Sequence, residues 1–468
     1  MHYQSKKNAA IDYQEVLHYP LSRIPLSLTN SDGTMRKTTK STFKAIIIGD
    51  SNFSISLNAA GTLVIDLVSL FHQLVETKKN NYEQICKRII SMVSTVIDRV
   101  ERVDFVADNY TKNISPIKKG EHAMRGESDP IIIKSLKSKA AKEFKEPILR
   151  NATNKTRLIE LFVQYVSENS SDVLQQLGCG TIYISTEGHC YKITAGQTSS
   201  EAQLKSNQPE ADTRLILHAR HALASTKSDV YIYSPSADTD VMVLCVSLLS
   251  DESHRVHIAD GSGKRLKVYK LSDIEVDDDH RLALIGLYAF TGNDYVSSLF
   301  GIGKKKAYKQ MTSDEKYVWL FQELGDDIEP VSIEEHLDWM ESFICQVYNE
   351  KDYTSVNEAR YSIFKKQLAK NKTVSLSKIP PCRSVLKLHL ERSAYIAYLW
   401  KRSQEPQIEL FPIEKYGWFQ DGQIVWTEEE IFPATISKYM SEENETVLYD
   451  DEEDDIFSEE DSVGDDEA

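Results

Sequence analysis

The sequence predicts an α/β protein with a central, mostly parallel sheet and a largely helical C-terminal region. Short apolar segments bounded by polar residues recur along the chain, at TLVID (62–66), VDFVAD (103–108), TIYIS (181–185) and VYIYS (230–234). Such segments are typical of strands buried on both faces of a parallel sheet. Segments with helical spacing alternate with them, which is the pattern of an α/β fold.

Taken in order, the elements begin with an N-terminal extension, residues 1–60, in which FKAIIIGDSNFSI (43–55) predicts an early strand or hairpin. After the first apolar strand, VSLFHQLVETKK (68–79) and residues 81–100 predict helices. EADTRLILHARHAL (210–223) has apolar residues at i, i+4, i+7 and i+8, which predicts a helix with one apolar face. From residue 281 the pattern is mostly helical.

A helical C-terminal region is predicted for residues 313–440, and RSVLKLHLERSAYIAYLW (383–400) predicts its longest amphipathic helix. The net charge of −16 is concentrated beyond it, because residues 441–468 hold 15 of the 71 acidic side chains. The remaining 56 acids nearly balance 55 Lys and Arg. We expect residues 441–468 to be a disordered acidic tail that aids solubility, contacts basic proteins or competes for the protein's own nucleic-acid groove.

Residues 109–157 interrupt the alternation of strands and helices. From Asp108 to Arg157 there are 12 Lys or Arg and 6 Asp or Glu, which gives a local charge of +6. The stretch is mostly polar, and we expect it to be a mobile basic insertion that lies over the functional site and outside the core.

The cysteines and the hydropathy bear on location. Six cysteines lie far apart without a CxxC pair, which predicts reduced intracellular thiols. The sequence lacks 18 consecutive apolar residues, so no membrane span is expected. The segment MHYQSKKNAAIDYQ lacks the apolar region of a signal peptide.

Seven acidic residues lie where predicted strands or helices pass into loops. They are Asp66, Asp108, Glu210, Asp212, Asp238, Asp240 and Asp294. Each one alone is equally compatible with a turn or a helix N-terminus, where acids are favoured. Ligands of parallel sheets bind beyond the carboxyl ends of the strands, and we expect the fold to collect these side chains there.

A cluster of this kind predicts bound cations. Two carboxylates about 4 Å apart repel by roughly 4 kcal/mol at an effective dielectric of about 20. Ligands that are all oxygen suit Mg²⁺ or Mn²⁺. Two such ions in one acidic site are the usual means of hydrolysing a phosphodiester bond.

A glycine-rich turn follows Asp294. Gly301 and Gly303 precede a predicted helix and offer backbone N–H groups to a phosphate. Lys304, Lys305 and Lys306 are expected to add nonspecific affinity for a nucleic-acid backbone.

Over residues 62–312 the chain resembles the flap endonuclease-like 5′ nuclease superfamily, within the PIN-like fold. TLVID resembles the N-terminal nuclease motif and VDFVAD the second metal-binding strand. PEADTR resembles the internal motif and SADTDV the paired-aspartate motif, while TGNDYVSSLFGIGKKKA resembles the last metal-associated Asp and a helix–three-turn–helix. The resemblance implies a PIN-like 5′ nuclease domain at 61–312, with an arch-like helical insertion at 109–157 and the helix–three-turn–helix at 294–312.

The resemblance also implies roles for the seven acids. Asp66, Asp108 and Asp212 would hold one Mg²⁺ or Mn²⁺ ion, and Asp238 and Asp240 the other. Glu210 and Asp294 would act mainly through bound waters.

Further roles come from the same resemblance. PIKKGEHAMR (116–125) resembles the base of the family's arch, so Lys118 and Arg125 would stabilise charge on the scissile phosphate. His72 would stack on the base beside the cut, with Phe71 as the alternative. The helix–three-turn–helix implies a grip on duplex phosphates and a K⁺ ion.

The chain also departs from the family pattern. Some 60 residues precede the first motif, and the insertion begins three residues later than usual. QIELF (407–411) is a poor match to a sliding-clamp peptide, so no clamp partner is predicted. The C-terminal region, with IPPCRSVLKLHLERSAYIAYLW and YGW, resembles a group of uncharacterised animal proteins with a suggested transposon association, which implies no function of its own.

The favoured hypothesis is a metal-dependent, structure-preferring nuclease that acts on DNA, with RNA as the alternative substrate, by a two-metal mechanism. A nuclear location is expected only from this substrate. The alternative is a non-catalytic nucleic-acid-binding or assembly protein that retains the nuclease fold. A nucleotide hydrolase is disfavoured because the sequence lacks a GxxxxGK[ST] loop. A haloacid-type phosphatase would need Asp-x-Asp after the first strand, where this chain has Asp66-Leu67-Val68. The sequence leaves open the polarity of cleavage, the substrate structure and the oligomeric state.

Overall fold

A computed structural model describes residues 11–55, 57, 61–74, 81–96, 100–110, 116–117, 133–138, 146–236, 238–371, 373–428 and 430–437. These residues form an α/β structure built on one eight-stranded sheet of order β5-β4-β3-β2-β1-β6-β7-β8. The strands are β1 (Gly61–Asp66), β2 (Arg102–Val106), β3 (Thr181–Ser185), β4 (Cys190–Thr194), β5 (Gln197–Ser200), β6 (Asp229–Ser234), β7 (Val256–Asp260) and β8 (Lys267–Lys270). The predicted α/β class with a mostly parallel sheet is confirmed.

The centre of the sheet is parallel and its edges are antiparallel. Strands β3, β2, β1, β6 and β7 run in one direction, and β4, β5 and β8 pair antiparallel to their neighbours. Strand β1 shows why the segments read as continuous apolar runs, because Leu63 and Ile65 pack into one apolar layer and Val64 into the other. All three are fully buried.

Helices cover both faces of the sheet. They are α1 (Tyr13–Val16), α2 (Lys40–Ile48), α3 (Leu67–Gln73), α4 (Tyr82–Val96), α5 (Glu146–Leu149), α6 (Ala152–Glu168), α7 (Ser170–Leu177), α8 (Ala211–Ser225), α9 (Thr239–Leu248), α10 (Asp278–Phe290), α11 (Lys304–Met311), α12 (Glu315–Glu323), α13 (Pro330–Val347), α14 (Val356–Asn371) and α15 (Arg383–Lys401). Helices α3 to α7 pack on the layer that contains Leu63, and α8 to α15 on the layer that contains Val64. None of the helices in the described part of the chain has both the length and the apolarity needed to cross a membrane.

The prediction of a strand or hairpin at 43–55 was wrong. Residues 40–48 form helix α2, because Phe43 and Ile47 lie four residues apart on the face that packs into the core. Residues 51–55 follow without regular structure, except for a bridge between Ser54 and Val268 on β8.

Two predictions fall largely outside the described residues. The basic insertion at 109–157 is described only at 109–110, 116–117, 133–138 and 146–157, and the acidic tail at 441–468 is not described. Lys118 and Arg125 therefore also lie outside the described residues.

A buried polar network joins strand β2 to helix α8. The Asp104 carboxylate accepts hydrogen bonds from Arg102 Nε and Nη2, both at 2.6 Å, and its Oδ2 lies 2.7 Å from His218 Nδ1. Burial alone would raise the pKa of Asp104, but attraction by Arg102 holds it below its usual value. Asp104 is therefore a structural carboxylate, distinct from the acids at the end of the sheet.

Candidate metal centre

The three central strands point their carboxyl ends at one cavity of about 830 Å³. Strand β1 ends at Asp66, β2 leads into Asp108, and β6 leads into Asp238. Because β2, β1 and β6 are neighbours in the sheet, these chain segments emerge side by side. Acidic residues that line the cavity are Asp66, Asp108, Glu210, Asp212, Asp238 and Asp294.

Three of the predicted ligands lie close enough together to share a metal ion. One carboxylate oxygen from each of Asp212, Asp238 and Asp240 lies within 4.8 Å of the others. Asp212 lies in the first turn of α8, and Asp238 caps α9 by accepting a hydrogen bond from the N–H of Asp240 at 3.0 Å. We call these three residues, together with Asp66, Asp108, Glu210 and Asp294, the acid cluster.

Backbone groups orient two carboxylates on the β1–β2 side. Asp66 caps helix α3, where its Oδ1 accepts hydrogen bonds from the N–H groups of Val68 at 2.8 Å and Ser69 at 3.2 Å. Asp108 Oδ1 accepts a hydrogen bond from the N–H of Ala211 at 2.7 Å, at the start of the helix that carries Asp212. The two strand ends are thereby tied to the helices that complete the cluster.

Aromatic residues hold three further carboxylate oxygens. The hydroxyl of Tyr110 donates to Asp108 Oδ2 at 2.7 Å, and that of Tyr288 donates to Asp240 Oδ1 at 2.5 Å. Glu210 accepts from the hydroxyl of Tyr295. Sequence motifs gave no signal for these donors, because each lies outside the acidic motif that it contacts.

The C-terminal helix also reaches the cluster. Trp400 Nε1 on α15 donates to Glu210 Oε2 at 3.4 Å. Gln208, two residues before Glu210, donates to the carbonyls of Ser403 at 3.0 Å and Glu405 at 2.6 Å. The C-terminal region thus fixes the segment that leads into Glu210 and Asp212.

Burial and mutual repulsion raise the pKa values of several carboxyl groups in the acid cluster. Desolvation and repulsion by Asp108 raise the pKa of Asp66 to about 7. Desolvation and repulsion by Asp240 raise the pKa of Asp238 to about 7. The pKa of Asp212 is raised well above its usual value by desolvation, Asp238 and Asp240. This excess of negative charge is what a divalent cation would relieve.

Lys40 is a member of the site that sequence analysis missed. Its Nζ lies 2.8 Å from Asp240 Oδ2 and 3.1 Å from Asp294 Oδ2. Desolvation alone would lower the pKa of Lys40, but attraction by Asp240 and Asp294 leaves it above its usual value. Lys40 therefore brings a permanent positive charge into the acid cluster.

The N-terminal extension holds the Asp294 loop by backbone contacts. The N–H of Ser298 donates to the carbonyl of Arg36 at 3.0 Å, and the N–H of Phe300 donates to the carbonyl of Ser27 at 2.8 Å. The Arg36 guanidinium also lies 4.6 Å from the centre of the Phe300 ring. The extension therefore positions both Lys40 and the loop that carries Asp294.

Basic and aromatic side chains form another wall of the cavity. Arg150, Lys155 and His72 line it, and the Lys155 ammonium lies 4.3 Å from the centre of the Tyr110 ring. His72 and Phe71, the two residues predicted to stack on a base, differ in exposure. His72 is exposed at the cavity, while Phe71 is buried against Phe162. Of these two residues, only His72 is exposed at the cavity.

The loop between α10 and α11 and the first turn of α11 contain the residues predicted to contact a nucleic-acid backbone. Gly301 has a positive φ of 70° and Gly303 is the N-cap of α11, with Lys305 and Lys306 exposed on the first turn. The prediction that Lys304 contacts a nucleic-acid backbone was wrong, because this side chain is 1% exposed.

The Lys304 ammonium is used inside the protein. It donates to the carbonyls of Tyr288 at 3.1 Å and Gly292 at 2.7 Å, and to the Thr291 hydroxyl at 3.0 Å. It thereby caps the C-terminal end of α10, where the helix passes into the Asp294 loop.

No family model matches the chain, and no curated protein sequence is significantly similar to it. The acid cluster and its surroundings therefore carry the information on function.

Proposed function

We propose that the acid cluster binds divalent cations and that the protein hydrolyses phosphodiester bonds in nucleic acid, as PIN-like 5′ nucleases do. The observation that carries this proposal is the convergence of oxygen ligands at one end of a parallel sheet. Asp212, Asp238 and Asp240 supply oxygen atoms within 4.8 Å of one another, and four more acids surround them. Lone structural acids at helix N-termini would have no reason to converge in this way.

The residues present fit Mg²⁺ or Mn²⁺. All the donors are carboxylate oxygens, which hard divalent cations prefer. Several of these carboxylates have raised pKa values because their charges are not balanced. Asp66, Asp108 and Asp212 would hold one ion, and Asp238 and Asp240 a second. Cations bound there would supply an activated water and neutralise charge on the phosphate.

The protein's own groups would position the substrate. Arg150, Lys155 and His72 stand on the cavity wall, where they would contact phosphate oxygens or a base. Tyr110 and Tyr288 keep Asp108 and Asp240 in place by direct hydrogen bonds. We assign Lys118 and Arg125 the same charge-stabilising role that the family resemblance implies.

The loop at 291–303 and helix α11 would bind the duplex outside the cavity, as a helix–three-turn–helix does. Lys305 and Lys306 are exposed on the first turn of α11, beside the N-cap Gly303, which makes no side-chain capping hydrogen bond. Their phosphate contacts would be nonspecific and sensitive to salt. A K⁺ ion at this loop and a nuclear location remain expectations of the same proposal.

One observation favours the non-catalytic alternative as a second candidate. Lys40 already pairs with Asp240 and Asp294, so part of the acidic charge is neutralised by the protein itself. A binding protein that retained the fold would need such an internal cation if it no longer took up metal.

Cleavage assays separate the two candidates. Purified protein would be incubated with end-labelled 5′-flap, gapped, nicked and single-stranded DNA, and with RNA, in Mg²⁺, Mn²⁺ or EDTA. We expect metal-dependent products that Asp240→Asn and Asp212→Asn each reduce by at least about a hundredfold, since even the partners of metal ligands are worth about 10- to 100-fold.

Asp352→Asn is the matched control, because this acid is exposed and remote in sequence from the cluster. Binding measured in EDTA should survive in all three variants. Intact binding with no cleavage of any substrate by the wild type would favour the non-catalytic candidate. Cleavage that persists in Asp240→Asn would contradict the two-metal proposal.

A further inference from the structure

A second cleft, of about 500 Å³, opens directly beside the acid cavity. Pro235, Ser236 and Ser262 line both of them, so the two spaces are adjacent. The walls of the second cleft carry Lys44, Arg265 and Lys267. We call these three residues the basic cleft. A ligand that extends from the acid cluster into the second cleft would therefore pass from carboxylates to cations.

The side-chain charges of Arg265 and Lys267 in the basic cleft are available to a ligand. Arg265 and Lys267 are exposed in and after the turn between β7 and β8, next to the exposed Lys264. Asp260 also lines the cleft, but Lys44 pairs with its carboxylate. The two exposed cations are therefore not cancelled by the acid beside them.

The turn that carries Arg265 has a defined shape. Gly261 has a φ of 81°, and a Cβ there would lie 2.7 Å from the carbonyl oxygen of Arg265. Only glycine lets the two parts of the turn approach so closely. The turn therefore presents Arg265 on a constrained backbone rather than on a loose loop.

An exposed aromatic ring adjoins the cations. Phe53 is 49% exposed, and the Lys267 ammonium lies 4.6 Å from the centre of its ring. Its neighbour Ser54 pairs with Val268 on β8 through two backbone hydrogen bonds of 2.9 and 2.8 Å. Phe53 is thus fixed along the edge strand, and Ile55 beside it is 76% exposed. Phe53 and Ile55 therefore offer apolar surface beside the cations.

The surface continues beyond Phe53 into a third cleft of about 360 Å³. Tyr231 and His257 stack in its wall with ring centres 4.5 Å apart, and Lys270 lines the same space. Asp273 also lines it, and Asp229 accepts a hydrogen bond from His257 at 2.9 Å. Cationic and aromatic side chains, with Asp229 and Asp273 among them, thus line the surface from the acid cavity along β8.

We propose that the basic cleft and Phe53 bind one single strand of nucleic acid that extends from the acid cluster. Arg265 and Lys267 would contact successive phosphates, and Phe53 would stack on a base. A positively charged groove with aromatic platforms is the usual means of holding a single strand without sequence preference. The inference rests on the proposed function, because the bound strand would be part of the nuclease substrate.

The test measures binding of fluorescent single-stranded DNA to the full chain by anisotropy, in EDTA and over a range of salt. Two variants remove different parts of the surface. Arg265→Gln with Lys267→Gln should weaken binding about tenfold and flatten the salt dependence by about 1.4 in log–log slope, the value for two phosphates of a single strand. Phe53→Ala should weaken binding about tenfold with an unchanged slope, and Phe53→Tyr should restore it.

The matched control is Lys365→Gln with Lys370→Gln, which removes the same charge from exposed positions on α14. If both cleft variants bind as this control does, the proposal is overturned, and a protein partner becomes the better occupant for the surface. Equal loss of duplex and single-strand binding would also overturn the single-strand assignment. Because no cleavage occurs in EDTA, failure of the nuclease proposal would show in the Asp240→Asn assay and leave these binding results standing.

Discussion

Lys40 Nζ lies 2.8 Å from Asp240 Oδ2, although the two residues are 200 positions apart in the chain. The side chain of Lys40 is 25% exposed and that of Asp240 is 8% exposed, so the pair is largely screened from solvent. The ammonium also lies 3.1 Å from Asp294 Oδ2. A cation bound near Asp240 would therefore meet a resident positive charge, and Lys40 should limit how tightly the acid cluster holds metal.

Replacement of Lys40 should change both the affinity for metal and the stability of the protein without metal. Lys40→Met leaves Asp240 and Asp294 without their cation, and we expect a loss of about 3 kcal/mol in the free energy of unfolding without metal. Mn²⁺ should then bind about tenfold more tightly, because repulsion between two cations is removed, and should restore the lost stability. Calorimetric titration and thermal unfolding, each with and without Mn²⁺, measure the two effects.

Lys37→Met is the control for this prediction. Lys37 is also close to Asp294, at 3.9 Å, but its side chain is 56% exposed. An exposed pair of this kind contributes little, so metal affinity and stability should stay near those of the wild type. Weaker Mn²⁺ binding in Lys40→Met would show instead that Lys40 organises the ligands.

The raised pKa of Asp66 predicts a pH effect on stability without metal. In the folded protein Asp66 keeps its proton up to about pH 7, whereas its usual pKa is 3.8. Between these values the folded state binds more protons, so this group's contribution to stability falls as pH rises. Asp66→Asn removes the effect and retains a good helix cap.

The measurement is the difference in unfolding free energy between Asp66→Asn and the wild type, in EDTA, from pH 5 to pH 8. It should shift by about 3 kcal/mol in favour of the variant, because about two units are crossed between pH 5 and the folded pKa and each corresponds to about 1.4 kcal/mol. A difference that stays constant with pH would show that Asp66 ionises normally.

Lys304 and its two neighbours should have opposite phenotypes. Lys304→Met removes a buried ammonium from three acceptors, and we expect a loss of about 3 kcal/mol in stability. Lys305→Gln with Lys306→Gln should leave stability unchanged and reduce the salt slope of duplex binding by about 1.8, the value for two phosphates.

Chemical unfolding and salt-dependent anisotropy with duplex DNA separate the two outcomes for these lysines. The Lys304→Met protein should keep the wild-type salt slope at temperatures where it is folded. A stable Lys304→Met variant with a reduced slope would mean that Lys304 reaches the nucleic acid after all.

Asp104 should act on stability alone. Asp104→Asn deprives Arg102 and His218 of a shared buried carboxylate, which should cost about 3–5 kcal/mol. Asp251→Asn, which weakens the more exposed pair with Arg220, should cost less than about 1 kcal/mol. Denaturant unfolding measures both changes, and Mn²⁺ affinity of the folded variants should be normal. An altered affinity in Asp104→Asn would place this residue in the metal site.

The central sheet and the convergence of the acids follow from local signals in the sequence. Apolar segments such as TLVID and VYIYS have the length and composition of buried parallel strands, and the acids follow the carboxyl ends of these strands. Helix α2 was missed because Ile46, Ile47 and Ile48 favour a strand by propensity, while Phe43 and Ile47 gain more by packing into the core as a helix.

The remainder of the site depends on contacts that no local pattern records. Lys40 contacts Asp240 and Asp294, which lie 200 and 254 positions later in the chain, so the contact depends on the tertiary fold. Lys304 is different, because a signal was present. It lies three residues before Ala307 and seven before Met311, both buried, so helical spacing assigns it to the inner face of α11. The run of three lysines obscured that spacing.

The carbonyls of residues 27 and 36 accept hydrogen bonds from the N–H groups of residues 300 and 298, and these bonds close a very long loop of the chain. Closing such a loop costs entropy, and it cannot happen until the later partner exists. A growing polypeptide made only as far as α9 already contains Asp66, Asp108, Asp212, Asp238 and Asp240, but it lacks Asp294 and the segment that anchors Lys40. During synthesis, completion of the acid cluster is therefore delayed until the chain has passed residue 300.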